Sequence, residues 1–146
     1  MKRTINMLET ADLTLVMTDE NGKQKKVDAV LTALSRVEWT HMAEKIAEIA
    51  RKTDKKREVC LEEIKKANPK VTDEEKLHAL AEKELSDIIN EFNEEQSAVI
   101  DDVVATSFRG NKDAIECYNQ GSIAARAQIY DILREISTIS EETEKN

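Results

Sequence analysis

Residues 72–110, TDEEKLHALAEKELSDIINEFNEEQSAVIDDVVATSFRG, contain no proline, and no glycine before Gly110. Thr72 and Glu75 have the spacing of a capping box, which marks the start of a helix. Apolar residues then recur at steps of four, four and three, a period that keeps one face of a nearly straight helix apolar. They are Leu77, Ala81, Leu85, Ile88, Phe92, Val99 and Val103, and the polar Gln96 occupies the position between Phe92 and Val99. We predict one helix from Asp73 to Arg109, about 54 Å long, with Gly110 at its C-terminal cap.

A helix is also predicted on the N-terminal side of this stretch. Ser35 and Glu38 form another capping box, and Pro69 forbids continuation of the helix beyond Asn68. The apolar stripe fades between residues 51 and 58 and then resumes. One bent helix and two separate helices are both allowed by this pattern.

Charge is distributed unevenly between these two helical segments. Residues 51–70 hold eight basic and four acidic side chains, whereas residues 71–104 hold eleven acidic and two basic ones. Antiparallel packing across Pro69 would place opposite charges side by side, although each exposed ion pair contributes only about 0 to 1 kcal/mol. We therefore predict a long antiparallel helical hairpin at the centre of the fold.

A further helix is predicted over residues 112–139, where apolar and small residues alternate by three and four in a heptad. The heptad positions are Ile115, Tyr118, Ser122, Ala125, Ile129, Ile132, Ile136 and Ile139. Gly121 and Ser122 leave a choice, because a glycine can end one helix and a serine can cap the next. We favour a continuous helix.

Residues 13–29 have the pattern of a β-hairpin, with apolar residues alternating on both sides of a turn sequence. A three-residue loop, residues 20–22, places its glycine at the left-handed position and pairs Leu15 with Val27. A lone hairpin is marginally stable in water. Its apolar face must therefore cover a helix, pair with a strand near residues 4–8, or join another subunit.

The composition fits a single domain over residues 1–146. Charged residues make up 36% of the chain and aromatic residues 3%, so the core must be aliphatic. We divide the domain into a β-hairpin region (1–34), a helical bundle (35–140) and a frayed tail (141–146). The expected fold class is mainly α, with a long antiparallel helical hairpin, a third heptad-patterned helix and a small N-terminal β-hairpin.

The net charge of −8 argues against nucleic acid as a partner, since binding it needs clustered Lys and Arg. There is no run of about 18 apolar residues and no apolar stretch after Lys2-Arg3, so we expect a cytoplasmic protein with no membrane partner. Cys60 and Cys117 lack the spacing of a zinc site or a disulfide framework. We expect both to be buried, reduced thiols, and we expect no cofactor.

Both histidines follow a glutamate by three residues, which is the ligand pattern of di-iron carboxylate bundles. The four metal candidates are Glu38, His41, Glu75 and His78. On a helical wheel His41 lies opposite the apolar stripe of its helix, and glutamate is so abundant that chance matches are frequent. We interpret both histidines as surface residues. Metalloprotease, nucleophile-elbow and phosphate-loop motifs are absent from the sequence, so no catalytic role is expected.

The junction before the last predicted helix has the features of an anion site. Free N–H groups at a helix start would lie near two cationic side chains. A nucleotide-sized ligand at a subunit junction would use Arg109, Asn111, Lys112, Tyr118 and Arg126. The alternative is a solvated loop with Tyr118 in the core.

Apolar surface on the two C-terminal predicted helices exceeds what one chain of this length can cover. We therefore expect a homo-oligomer, most simply a homodimer. The expected interface residues are Ile88, Ile89, Phe92, Val99, Ile100, Val103, Val104, Ile129, Ile132 and Ile136. The leading hypothesis is a non-enzymatic accessory protein, of the kind that phages and mobile elements encode, which self-associates and binds another macromolecule, in particular a protein. The alternatives are a nucleotide- or anion-sequestering module and a metal-dependent helical-bundle enzyme.

Overall fold

The computed structural model describes residues 1–138, and most of them are helical. The elements in chain order are β1 (Thr10–Thr18), β2 (Gln24–Thr32), α1 (Arg36–Ala67), α2 (Glu74–Leu80), α3 (Glu82–Ser107), α4 (Lys112–Gln120) and α5 (Ile123–Ser137). The prediction of a mainly α fold with an N-terminal β-hairpin is confirmed. The last heptad position, Ile139, and the predicted frayed tail lie outside the described residues.

β1 and β2 form the predicted antiparallel hairpin, with Leu15 opposite Val27. The Asp19 N–H donates to the Lys23 carbonyl at 2.9 Å and closes a three-residue loop. Within that loop Gly22 has a φ of 76°, a left-handed conformation that glycine adopts without strain. The predicted register and turn are both confirmed.

α1 is one continuous helix of 32 residues, which settles the choice between one helix and two. The Glu38 N–H donates to Ser35 Oγ at 3.1 Å, and the Ser35 N–H donates to Glu38 Oε1 at 3.1 Å. These are the reciprocal bonds of a capping box. The helix ends at Ala67, before Pro69, so the predicted start and end are confirmed.

The continuous helix predicted from Asp73 to Arg109 is wrong, because the structure divides it at Ala81 into α2 and α3. Ala81 has φ −95° and ψ 3°. Its N–H still donates to the Leu77 carbonyl at 3.1 Å, and its carbonyl accepts the Leu85 N–H at 2.9 Å. The division is therefore a local distortion across which helical hydrogen bonding continues.

The ends of this helical segment also differ slightly from the prediction. Asp73, rather than Thr72, caps α2, and its carboxylate accepts the Glu75 N–H at 3.0 Å. Two residues with positive φ follow α3, namely Arg109 at 51° and Gly110 at 85°. Gly110 thus has the expected left-handed conformation, and Arg109 adopts it as well despite the steric cost to a residue with a Cβ.

The continuous helix that we favoured over residues 112–139 is also wrong. Gly121 lies between α4 and α5 with φ −69° and ψ 156°. The Ala125 N–H donates to Ser122 Oγ at 3.1 Å, so Ser122 is the N-cap of α5. This cap satisfies one of the free N–H groups at the start of α5, which lowers the energetic cost of the break.

Contacts within the described chain group into two units. The first unit, residues 1–42 and 100–138, contains the hairpin, α4 and α5, and both of these helices contact both strands. Its fully buried side chains include Leu31, Val104, Ser107, Tyr118 and Leu133. The second unit, residues 43–99, contains α2 and most of α1 and α3. The single domain expected over residues 1–146 stays a prediction.

Cys60 and Cys117 are buried and unpaired, which confirms the prediction of buried thiols. Burial raises the pKa of the Cys60 thiol above its ordinary value, so this thiol stays protonated at neutral pH. Among residues 1–138, none of the helices has the length and apolar character that crossing a bilayer requires.

Replacing Ser122 with Ala should lower the free energy of unfolding by about 1 kcal/mol, because α5 loses the acceptor for the Ala125 N–H. Ser86 is exposed in the second turn of α3 and provides the matched control. Ser86→Ala should leave stability unchanged or raise it slightly, since alanine is the better helix former. Urea unfolding followed by circular dichroism measures both changes. Equal effects of the two substitutions would contradict the assignment of Ser122 as a cap.

Candidate functional site

Tyr118, Arg126 and Asp101 form a polar cluster in the first unit. Tyr118 is 2% exposed, and its hydroxyl donates to Asp101 Oδ1 at 2.6 Å. Arg126 Nη1 approaches the other carboxylate oxygen, Asp101 Oδ2, at 3.5 Å. One side chain from each of α3, α4 and α5 thus meets at this point, and we call the three residues the Asp101 cluster.

The turn between α4 and α5 positions the cluster. Ala114, Cys117 and Tyr118 are buried at helical spacing on one face of α4. A Cβ added at Gly121 would lie 3.2 Å from the Tyr118 carbonyl oxygen and 3.6 Å from Arg126 Cγ. A glycine at this turn therefore allows α5 to begin close to α4, and Arg126 can reach the carboxylate that Tyr118 also contacts.

The protonation state of Tyr118 follows from its surroundings. Burial raises the pKa of its hydroxyl above the ordinary value of 10.0, and both the hydrogen bond to Asp101 and the charge of that carboxylate act in the same direction. The positive charge of Arg126 opposes them. Tyr118 is therefore a neutral hydrogen-bond donor at neutral pH. Arg126 Nε is buried without a hydrogen-bond partner among residues 1–138.

A groove of about 440 Å³ lies beside the Asp101 cluster. Residues 13–18 of β1 line one side of it, and residues of α4 and α5 line the other side, including Tyr118, Arg126 and Ile132. The larger part of its lining surface is apolar, and Arg126 is the charged side chain in its lining. We call this feature the β1 groove.

Three of the five predicted ligand-binding residues do not join the cluster. Arg109 Nη2 pairs with Glu38 Oε1 at 3.3 Å. Asn111 caps α4, and its Nδ2 donates to the Asp28 carbonyl at 3.4 Å. Lys112 is exposed. The structure thus brings Tyr118 and Arg126 together, while Arg109 and Asn111 are occupied by other contacts within the chain.

The candidate metal ligands show no convergence. Glu38 is held by the Ser35 capping bonds, and the Ser35 N–H holds the pKa of the Glu38 carboxyl below its ordinary value. His41, Glu75 and His78 are exposed. In the part of the chain that the structure describes, no group of three or more His, Cys, Asp or Glu side chains could hold a metal ion.

The predicted interface residues differ widely in exposure. Val104 is fully buried and Ile129 is 9% exposed, so both belong to the core of the first unit. Ile89 is 43% exposed. The others are half-buried: Ile88, Phe92, Val99, Ile100, Val103, Ile132 and Ile136. Ile89 and the half-buried residues keep apolar surface that a partner could cover.

Asp101 is the member of the cluster that the sequence reasoning missed. It is one of eleven acidic residues between residues 71 and 104, so its residue type alone did not distinguish it. A usable signal is its place between Ile100 and Val103, where the helix is apolar on more than one face. A carboxylate in such surroundings needs a hydrogen-bond donor from elsewhere in the chain.

Comparison with known proteins gives no match: no family model fits the sequence, and no curated protein or solved structure is significantly similar to it. The geometry of the described residues is therefore the basis for a functional proposal.

Replacing Tyr118 with Phe should lower the free energy of unfolding by about 1 to 3 kcal/mol, because it removes a buried hydrogen bond to a charged acceptor. Tyr130→Phe is the matched control, since the Tyr130 hydroxyl has no hydrogen bond among residues 1–138. Urea unfolding at neutral pH measures both variants. A loss in Tyr130→Phe as large as that in Tyr118→Phe would contradict the role given to the Asp101 cluster.

Stability should also depend on the ionisation of Tyr118 at high pH. Because the folded-state pKa of Tyr118 is raised, the unfolded chain loses this proton first, and the contribution of Tyr118 is lost as the pH rises above the ordinary value of 10.0. The difference in free energy of unfolding between wild type and Tyr118→Phe should therefore be constant below about pH 9 and should become smaller at about pH 11. Other ionisable groups are common to both proteins and cancel in this difference. A difference that stays constant up to that pH would refute the raised pKa.

Proposed function

We propose that the chain is a non-enzymatic interaction protein, which self-associates through residues 43–99 and acts by binding another macromolecule. The observation that carries this proposal is the sparse core of the second unit. Over residues 43–99 the buried side chains are Cys60, Leu77 and Ala81, although an apolar stripe runs along both long helices. A unit with so few buried side chains has little stabilisation of its own.

The apolar stripe of the second unit is covered on one side only. Ile46, Leu61, Leu85, Ile88 and Phe92 are all half-buried. Two antiparallel helices cover each other along a single line of contact, so side chains beside that line keep apolar surface in water. Exposed apolar surface of this kind is commonly covered by association.

One open side of the helix pair carries charged side chains around a groove. Lys52, Lys56, Glu84 and Asp87 line this groove. Lys56 Nζ of α1 also lies 2.9 Å from Glu91 Oε1 of α3. This ion pair joins a basic residue of α1 to an acidic residue of α3, in line with the antiparallel packing expected from the charge distribution. Val59, Cys60 and Ile88 line the same groove between these charged side chains, so this side also keeps apolar surface.

Further apolar side chains of the helix pair lie away from this groove. Each residue turns an α-helix by about 100°, so Leu61 and Ile89 point away from the groove that Val59 and Asp87 line. Ala50, Leu85 and Phe92 lie on the same side by this geometry. We call these residues, Ala50, Leu61, Leu85, Ile89 and Phe92, the apolar side.

A second copy of the chain is the partner that fits the apolar side best. Two helix pairs joined through their apolar sides form a four-helix bundle, in which each stripe is covered by the other. Asp54 and Arg57 flank the apolar side on α1 and carry opposite charges. A twofold arrangement allows Asp54 of each copy to lie near Arg57 of the other. The nucleotide-binding alternative has less support, because Arg109 and Asn111 already have partners within the chain.

Replacing Ile89 with Glu should weaken self-association by about 100-fold or more, because it places an unpaired charge in the apolar interface. Asn90→Glu is the matched control, since it adds the same charge one residue further on, at an exposed position outside the apolar side. Sedimentation velocity or light scattering over a concentration series measures both. Wild type that stays at 16.6 kDa up to high micromolar concentration would refute the proposal, and so would equal weakening by both substitutions.

A further inference from the structure

The outer edge of β1 carries backbone groups that the hairpin does not use. The Ala33 N–H donates to the Glu9 carbonyl at 2.8 Å, and the Asp19 N–H donates to the Lys23 carbonyl at 2.9 Å. In an antiparallel pair, residues whose N–H and C=O groups point to the partner strand alternate with residues whose groups point away from it. The odd-numbered residues of β1 therefore bond to β2, and the N–H and C=O groups of the even-numbered residues face the free edge. The even-numbered residues are Thr10, Asp12, Thr14, Val16 and Thr18. Their N–H and C=O groups have no backbone partner beyond the hairpin within residues 1–138.

This edge lacks the features that usually prevent strand pairing. β1 is nine residues long, its single charged residue is Asp12, and it contains no lysine or proline. β2 differs, since it carries Lys25 and Lys26 and its Asp28 carbonyl accepts a hydrogen bond from Asn111. Long edge strands that carry little charge are templates for pairing with another chain. The free edge of β1 is therefore the one suited to an added strand.

The β1 groove provides space beside this edge. Its lining includes six consecutive residues of β1, residues 13–18, and no residue of β2. Consecutive residues of a strand point to opposite faces, so a groove that touches all six runs along the edge of the strand. Leu13 and Leu15 are half-buried, whereas Ala29 and Val27 opposite them are buried. An added strand would place side chains over the half-buried part of this apolar face.

We propose that β1 pairs antiparallel with β1 of a second copy, so that two hairpins form one four-stranded sheet with the order β2-β1-β1-β2. This inference rests on the proposed self-association and gives it a second surface. In the register with full overlap, Thr14 lies opposite Thr14 of the other copy, Asp12 lies opposite Val16, and Leu13 lies opposite Leu15. Asp12 then avoids its own counterpart, and aliphatic residues meet on the inner face. The free donors and acceptors of both edges are satisfied at the same time.

Val16 and Lys26 allow a matched test, because they lie opposite each other in the hairpin and both direct their N–H groups outward, on opposite edges. Proline removes an N–H donor but is tolerated where that donor faces away from the ladder. Val16→Pro should weaken self-association by about tenfold or more, and Lys26→Pro should leave it unchanged. Circular dichroism shows whether both variants keep the wild-type fold. Equal effects of the two variants, or no effect of Val16→Pro, would overturn the strand pairing.

Hydrogen exchange on the wild-type chain gives an independent test that does not depend on a variant folding. At concentrations where the chain associates, the even-numbered amides of β1 should be protected as strongly as the odd-numbered ones, and dilution should remove that protection. An associated chain whose even-numbered amides exchange freely would overturn the strand pairing and leave the helical interface standing. If the even-numbered amides are protected but Ile89→Glu does not weaken association, the helical interface would be overturned and the strand pairing would stand.

The same measurement distinguishes a different occupant of the edge. Residues 4–8 form no strand, yet Ile5 and Met7 are 75% and 86% exposed and alternate as the residues of an added strand would. If deleting residues 1–8 removes the protection of the even-numbered amides, the added strand is this segment, and pairing between two copies of β1 is overturned. Protection that survives the deletion supports the proposed pairing.

Discussion

Covering the inner face of the hairpin is the constraint on which residues 1–42 and 100–138 depend. Val27, Ala29 and Leu31 present that face, and α4 and α5 contact both strands. A two-stranded sheet has too little stability to fold by itself, so these helices must cover it. A continuous helix over residues 112–139 would be about 42 Å long, whereas strands of nine residues span about 30 Å. Division at Gly121 fits two shorter helices to a sheet of this size.

The same packing explains the Asp101 cluster. In a chain with few aromatic residues, Tyr118 supplies one of the large side chains of the core, and its ring lies 6.5 Å from that of Phe108 at a tilt of 58°. A buried tyrosine needs a partner for its hydroxyl, and Asp101 provides it. This hydrogen bond connects α4 to the C-terminal part of α3. The polar cluster is thus a consequence of covering the hairpin with a helix that carries a tyrosine.

Local signals in the sequence were sufficient for several elements. The hairpin register followed from alternation and from Gly22, and the start of α1 followed from Ser35 and Glu38, because each depends on residues close together in the chain. The distortion at Ala81 has no such signal, since alanine is the best helix former. At Gly121 the local signal was present but ambiguous, because the heptad continues in phase across the break. Tyr118 and Arg126, two of the five residues predicted to bind a ligand, both contact Asp101. Asp101 itself lies 17 and 25 residues away from them in the chain, so its place depends on tertiary packing.

The two units differ in how much they bury, and this difference connects structure to the proposed assembly. Most of the buried apolar side chains belong to residues 1–42 and 100–138, whereas residues 43–99 contribute Cys60, Leu77 and Ala81. Segments with few buried contacts open at low free-energy cost. A partner that binds only the folded form of such a segment stabilises it by mass action. Under the proposed association, the folding of residues 43–99 and the assembly of the chain are therefore linked, and the concentration of the protein controls both.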